Sequence, residues 1–457
     1  MSATSGRGRR LAALACLILL TTGTGWAAYV QKRPCLQHAW VNDFQYTRHC
    51  YSDIYPLYTA EKLNVGAVPY RDHPVEYPVL IGGAMLVASN TAHAAPPPRR
   101  QKRNFEVTAI LLGACLLLVT ATTAQLAGRR RWDAVMIAVS PVVLFYAFYN
   151  WDLIAMAFAG LGMEAWRRRK PALAGVLFGL GAATKIYPAF LLVALLPLCW
   201  RAGQLRAWVR AAGAGVAAWI AVNLPIYLLY RNGWLEFYRL SRRRGAEIDT
   251  VWYQLRYLTD RFHSGLGRSV NDLVAPALTG NQSPGALNLL TLMLLVFLWS
   301  LIYLLVLRAP VRPRVPAVAF LVVVAFLLVN KVWSPQYALW YVPLGVLALP
   351  RWRVFVPWQI AELFVFYGAL GYLAYWGDPA HGVTAGRFFV AVLVRNLVLI
   401  AMSVLMVRDM YKPDQDVVRR DGTDDPAGGV LDGAPENWPQ WRRSRGKHAA
   451  GVPATHS

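Results

Sequence analysis

The sequence predicts an all-α protein that crosses a membrane many times, and three observations carry that prediction. Its 457 residues are 56% hydrophobic and only 16% charged, whereas a soluble domain carries about 25% charged residues. The apolar residues gather in runs long enough to span a bilayer, and mean hydropathy is +0.34. The 47 Lys and Arg against 24 Asp and Glu give a net charge of +23, but the cations sit in short clusters between apolar runs, as cytosolic loops of membrane proteins do. Charge arranged in that way argues against a nucleic-acid partner.

The first run, Leu11 to Val30, follows Arg7, Arg9 and Arg10. At about 20 residues and without a convincing cleavage site, it reads as a transmembrane helix entering from the cytosol rather than a secretory signal. Further apolar segments over about 105–127, 134–149, 152–166, 171–184, 187–200, 208–230, 287–307, 315–330, 337–349, 355–375 and 388–407 bring the spans to twelve. The run 171–200 could also be one long helix broken at Lys185.

Orientation follows from the basic clusters. With 79–94 lying in the outer interface, Arg129–Arg131, Arg167–Lys170, Arg201–Arg210, Arg308–Arg314 and Arg351–Arg353 all fall in the cytosol, and residues 31–78 fall outside. If 79–94 spans, every later loop flips against that bias. Arg99–Arg103 and Arg242–Arg244 are exceptions on the outer side, where anionic lipid headgroups would attract them. The expected organisation is a transmembrane domain over 1–410, with a first extracytoplasmic loop and its juxtamembrane helices over 31–104 and a second large loop over 231–286. After Tyr411 the composition turns to Asp, Gly, Pro, Arg and Ser, so 411–457 is expected to be a disordered cytosolic tail.

The stretch Arg48 to Pro78, RHCYSDIYPLYTAEKLNVGAVPYRDHPVEYP, is the polar exception in the chain. Ser52 is a good N-cap, Asp53 falls at the first helical position, and Gly66 ends a helix running to about Asn64. A carboxylate at a helix N-terminus is favoured as the anion, which suits a general base; the plainer reading is a juxtamembrane helix whose dipole Asp53 complements. Cys35 and Cys50 flank this loop and could pair in an oxidising compartment, while Cys16, Cys115 and Cys199 lie in apolar segments. No C-x-x-C, Walker or G-x-G-x-x-G pattern occurs.

Under this topology the polar breaks between helices fall together on the outer face: Asn150-Trp151-Asp152, Lys185-Ile186-Tyr187-Pro188, and Asn330 through Tyr337. Ionisable groups near bilayer depth mark functional sites by default, although Lys185 could snorkel and Asp152 could cap the next helix. Ser334-Pro335 reads as a helix start whose free N–H groups, with Lys331, would suit a phosphate. An acid, two lysines and a helix start on one face describe a base beside an anion cradle.

These residues resemble a known group. YSDIYPLYTAEKLNVGAVPYRDHPVEYPVL resembles the first outer loop of membrane glycosyltransferases of the GT-C class, in particular glycosyltransferase family 87, matched by Asp53, Tyr55, Tyr58, Gly66, Pro69-Tyr70 and Tyr77-Pro78. NKVWSPQYALWYVPL is similar to a segment of the eukaryotic mannosyltransferase that starts glycosylphosphatidylinositol anchors, and TKIYPAFLL resembles the lysine motif of the bacterial family. The likeness covers about residues 45–410. It implies a GT-C-like fold and inverting transfer of a hexose, mannose in the family's polyprenyl-phosphate-mannose-dependent members. The donor would be a polyprenyl monophosphate and the acceptor a hydroxyl of a lipid-linked or cell-envelope glycan, outside the cytosol in a multi-pass cell-membrane protein.

Asp53 is then the expected base, and Lys185, Lys331 and Arg71 the expected ligands of the donor phosphate. Glu76, Tyr77, Asn150, Asp152, Trp333, Gln336 and Tyr337 are the expected contacts of the sugar or acceptor. The eukaryotic relatives carry paired acids in the first loop, but here Ile54 and Tyr55 follow Asp53, so no cofactor and no divalent metal is expected. The competing function is a transporter or flippase of lipid-linked sugars, which needs charged residues at mid-membrane and repeated halves; the sequence offers no clear sign of either. A structural or assembly protein would leave the polar breaks without convergent geometry.

Overall fold

The computed structural model of the chain describes residues 2–38, 40–262, 284–422 and 424–436, and among these every regular element is helical. Helix α1 (Ser2–Gln37) leads into two short helices, α2 (Phe44–Thr47) and α3 (Ile54–Ala60), then α4 (Val79–His93) and α5 (Arg100–Leu126). Next come α6 (Val135–Ala138), α7 (Pro141–Tyr146), α8 (Asp152–Arg167), α9 (Pro171–Ala182), α10 (Tyr187–Arg201) and α11 (Leu205–Leu229). The amphipathic α12 (Arg231–Arg243) and α13 (Val251–Phe262) precede the closing group α14 (Gly285–Arg308), α15 (Val315–Val329), α16 (Ala338–Ala348), α17 (Trp352–Gly377) and α18 (Ala385–Tyr411).

The bundle has two chemically distinct ends. At one, which we call the tail end, the basic clusters meet residues 413–436: Arg314 bonds Asp416 at 2.7 Å, Arg201 pairs with Glu436, and Arg169 donates to Asp432 O at 3.3 Å. Lys170 and Arg201 therefore mark the same end, so α9 and α10 form a hairpin turning at Lys185 rather than one long helix. At the opposite, site end lie the first loop and the breaks at 150–152, 183–186 and 330–337. Both termini of α4 meet site-end segments, with Leu80 N donating to Ala183 O (3.1 Å) and His93 Nε2 bonding Leu63 O (2.8 Å), so this helix does not traverse the bundle.

Six helices are long and apolar enough to cross a membrane among the described residues. The traverses around the site are shorter: α9 has 12 residues and α10 and α15 have 15 each. At 1.5 Å per residue, 12 residues reach about 18 Å, against a hydrocarbon core of about 30 Å. The breaks at their ends therefore lie inside the bundle, which is what makes room for a polar cavity at the site end.

Packing of α9 on α11 is backbone to backbone. A Cβ on Gly175 would lie 1.9 Å from Ala211 O and one on Gly179 2.1 Å from Gly215 O. Small residues four apart on each helix permit this approach, the usual solution where no hydrophobic drive operates between helices in lipid.

Three expectations need correction. The segment 134–149 is not one span: it is a 3-10 turn followed by α6 and α7, broken where Pro141 removes a backbone donor and Ser140 caps the new helix by accepting from Val143 N at 3.2 Å. The helix after Ser52 stops at Ala60, since Lys62 takes a left-handed φ of 54° and starts a separate turn, Leu63–Val65, ended by Gly66 at φ 83°. The segment after Tyr411 is ordered over 412–422 and 424–436, because its scattered acids and apolar groups fit the basic tail end: Asp416, Val418, Ala427 and Leu431 are buried, and Trp166 Nε1 donates to Gly428 O at 2.9 Å. The rest of the expected tail, 437–457, lies outside the described residues, as does 263–283 of the second loop.

Candidate active site

The first loop is sewn to the break before α8. Asp53 N donates to Tyr149 O at 2.8 Å, and the Ser52 hydroxyl donates to Phe148 O at 2.7 Å while accepting from Ile54 N. These contacts fix the Asp53 side chain at the wall of a cavity of about 800 Å3. Its Oδ1 accepts from the Tyr51 hydroxyl at 2.7 Å and its Oδ2 from Asn150 Nδ2 at 2.6 Å. Asn150 Nδ2 also donates to the Tyr77 hydroxyl at 2.9 Å. Each carboxylate oxygen thus accepts one bond and keeps capacity for another.

Asp53 stands at the N-cap position of α3, but its side chain makes no bond to the helix's free N–H groups and is held by other partners. Burial pushes its carboxyl above the usual range; the bonds from Tyr51 and Asn150 and the charges of Lys185 and Arg244 oppose that shift. Two consequences follow. The anion is maintained by specific partners, and the group is more basic than an ordinary aspartate, which a general base requires.

Lys185 reaches the same cavity from the α9–α10 turn. Its ammonium lies 3.7 Å from Asp152 Oδ2 and 4.9 Å from the centroid of the Tyr77 ring. Asp152 is fully buried, does not line the cavity, and accepts from Trp340 Nε1 at 2.7 Å. It therefore orients Lys185 from behind rather than touching a sugar.

The cavity has a second cation that the sequence reading assigned to lipid headgroups. Arg244 lines the wall, 3.0 Å from Glu76 and 3.6 Å from Glu247. Lys331 also lines the cavity, but its ammonium is spent on the end of α12, donating to Arg242 O at 3.1 Å and to Arg244 O. Burial lowers it to about 8, with the Arg244 charge adding. Lys331 thus positions Arg244, a distinction that residue type and spacing do not reveal.

Tyr77, Asn150, Glu76, Gln336 and Tyr337 line the cavity with Asp53 and Lys185. Besides Asp152, two expected contacts do not. Arg71 is exposed at the surface and bound to Asp72 at 2.8 Å, in a separate groove with Arg231 and Arg239. Trp333 is wholly buried and faces away, its ring 3.7 Å from the Arg395 guanidinium. Of residues 330–334 only Trp333 is absent from the cavity wall, its ring being taken by Arg395.

From Tyr77 the cavity continues as an apolar groove between α9, α10, α11 and α15, walled by Phe178, Ala189, Leu192, Val216, Trp219 and Phe326. Away from it, Arg395 on α18 grips the second loop, donating to Asp249 O at 2.7 Å, and Glu362 on α17 accepts from Tyr341 and Trp358. These are charged residues at mid-helix, which the sequence reading overlooked although each interrupts an apolar run. Each is engaged with buried partners. Among the described residues no three His, Cys, Asp or Glu side chains converge as a metal site, and Cys35 and Cys50 are joined in a disulfide with Cα atoms 5.6 Å apart.

The family model for glycosyltransferase family 87 matches residues 103–330, a range that holds Asn150, Asp152, Lys185 and Arg244. No curated protein matches the chain.

Proposed function

The chain belongs to glycosyltransferase family 87, and from that premise we propose that it transfers a hexose, mannose in the first instance, from a polyprenyl monophosphate to a hydroxyl of a lipid-linked or cell-envelope glycan. The carrying observation is one cavity that joins a held carboxylate and two cations to an apolar groove between helices. Prenyl chain fits the groove, phosphate fits the cations, and the sugar falls between them and Asp53.

In this reading Asp53 accepts the proton of the acceptor hydroxyl as its oxygen attacks the anomeric carbon. The bond from that carbon to the phosphate oxygen breaks, the configuration inverts, and the polyprenyl monophosphate leaves with its new charge met by Lys185 and Arg244. Charge-assisted bonds to a phosphate are about twice as strong as neutral ones. Glu76 pairs with Arg244 at 3.0 Å, and Gln336 Oε1, buried and without a hydrogen-bond partner among the described residues, offers an acceptor for a sugar hydroxyl. In this reading the positive clusters at the tail end face the cytosol, in keeping with the usual bias of such clusters, and the cavity opens on the extracytoplasmic side of the cell membrane. A GT-C-type architecture is the corresponding fold.

The test is to incubate membranes holding the protein with labelled polyprenyl-phosphate-mannose and to follow where the label goes. Label passing to a lipid or glycan in wild-type membranes, and not in those with Asp53→Asn, is the expected result. Label carried intact across the bilayer without transfer would replace this reading with transport.

A further inference from the structure

Lys32 is the most completely enclosed ammonium among the described residues, with no exposed surface, and it takes no part in the site above. It stands near the site end of α1 and donates to Phe145 O at 3.0 Å. Its charge lies 5.2 Å from the centroid of the Tyr149 ring and 5.7 Å from that of Phe366. Tyr149 in turn packs on Tyr51 with centroids 5.0 Å apart, and the Tyr51 hydroxyl bonds Asp53. Ammonium, two rings and carboxylate are thus arrayed in series. A buried ammonium is unfavourable without an opposite charge, and the acid whose charge acts on Lys32 is Asp53.

We propose that Lys32 is a further, buried counter-charge of Asp53 besides the cavity cations Lys185 and Arg244, a positioning residue that adds to the electrostatic field at the base without touching substrate. The inference rests on Asp53 being the base of the transfer reaction. Other groups facing this spot do not supply the balancing charge. The first loop contributes Tyr46, His49 and Tyr51, the break before α8 contributes Tyr146 and Tyr149, α17 contributes Tyr367, and α1 itself carries Tyr29 and Arg33. The two further acids that act on Tyr146, Glu362 and Asp249, are engaged by Tyr341 and Arg395.

Removing a positive charge near a carboxylate raises the pH at which it loses its proton. Lys32→Gln keeps an N–H for Phe145 O and removes only the charge. In that variant the acidic limb of the pH profile of kcat/KM for transfer from a polyprenyl-phosphate hexose is expected to move up by about one pH unit. In Lys32→Arg it stays near wild type. An acidic limb unmoved in Lys32→Gln, or moved equally in both variants, overturns the proposal, because a purely structural contact to Phe145 would not distinguish them. Thermal unfolding in detergent gives a second measurement independent of activity. If the two charges balance one another, Asp53→Asn restores part of the stability that Lys32→Gln loses. Losses that simply add, with no recovery in the double variant, refute the pairing. A wild-type protein that transfers no sugar would refute the proposed function while leaving the thermal cycle decisive for Lys32.

Discussion

Asn150 holds Asp53: its amide nitrogen lies 2.6 Å from Asp53 Oδ2 and shares its second proton with the Tyr77 hydroxyl at 2.9 Å. Its own Oδ1 accepts from Trp151 N at 2.7 Å, so the amide cannot rotate without losing a buried bond. Asn150→Ala is expected to lower kcat about tenfold with little change in donor KM, since one charge-assisted bond is worth about 1.5–3 kcal/mol. Steady-state kinetics with varied donor checks it; a pure KM effect would make Asn150 a sugar ligand instead.

Asp53→Asn should reduce turnover by at least about a hundredfold while protein level is unchanged, the usual scale for a lost general base. Burial raises the Asp53 carboxyl, so it takes up its proton at a higher pH than an ordinary aspartate. Activity should therefore fall with decreasing pH from above the usual carboxylate value of about 3.9. A flat profile through that range excludes Asp53 as the titrating base.

The cations should separate by kinetics. Lys185→Gln and Arg244→Gln are each expected to raise donor KM about tenfold, equivalent to 1.4 kcal/mol, with acceptor KM unchanged. Arg71→Gln should stay within about twofold of wild type, because its partner is Asp72 at the surface. Lys331→Gln should lower both donor use and thermal stability, since it frees two carbonyls at the end of α12.

Gly179→Ala tests the α9–α11 contact. The added methyl would sit 2.1 Å from Gly215 O, and the helices must part to admit it. Overpacking of this kind costs typically about 1–3 kcal/mol. A lowered unfolding temperature in detergent is the expected sign, together with reduced use of long-chain donors, because Gly179 and Gly215 also line the groove.

At the tail end, Asp416→Ala strips Arg314 of its carboxylate while leaving the guanidinium buried among Leu347 O and Ala348 O. Breaking one side of a buried pair costs about 3–5 kcal/mol. Stability should fall while kcat per folded molecule holds, as the pair lies at the end of the bundle opposite Asp53.

Much of the fold was legible because hydropathy and the placement of Arg clusters are properties of contiguous sequence. The helical class, the polar first loop and most of the apolar helices follow from them, the segment 134–149 excepted. What was not legible depends on which way a side chain points in an irregular segment. Lys331 and Arg244 are both cations in breaks, and only the carbonyls at the end of α12 decide that one is structural and the other faces the cavity. Asp152 follows Asn150 by two residues, yet one lies behind Lys185 and the other beside Asp53. The ordered segments 412–422 and 424–436 were misjudged for a related reason: their few apolar residues suffice when a ready-made basic surface receives their acids.

The contact of Ser52 and Asp53 with the carbonyls of Phe148 and Tyr149 also has a meaning for biogenesis. The first loop leaves the ribosome before residues 148–150 exist and long before Arg244 does. Until those segments are inserted, the carboxylate has neither its amide clamp nor its cations and stands in water as an ordinary acid. In the proposed reaction the nascent chain would gain competence only when late hairpins close over an early loop, with the Cys35–Cys50 bridge already able to hold that loop in shape.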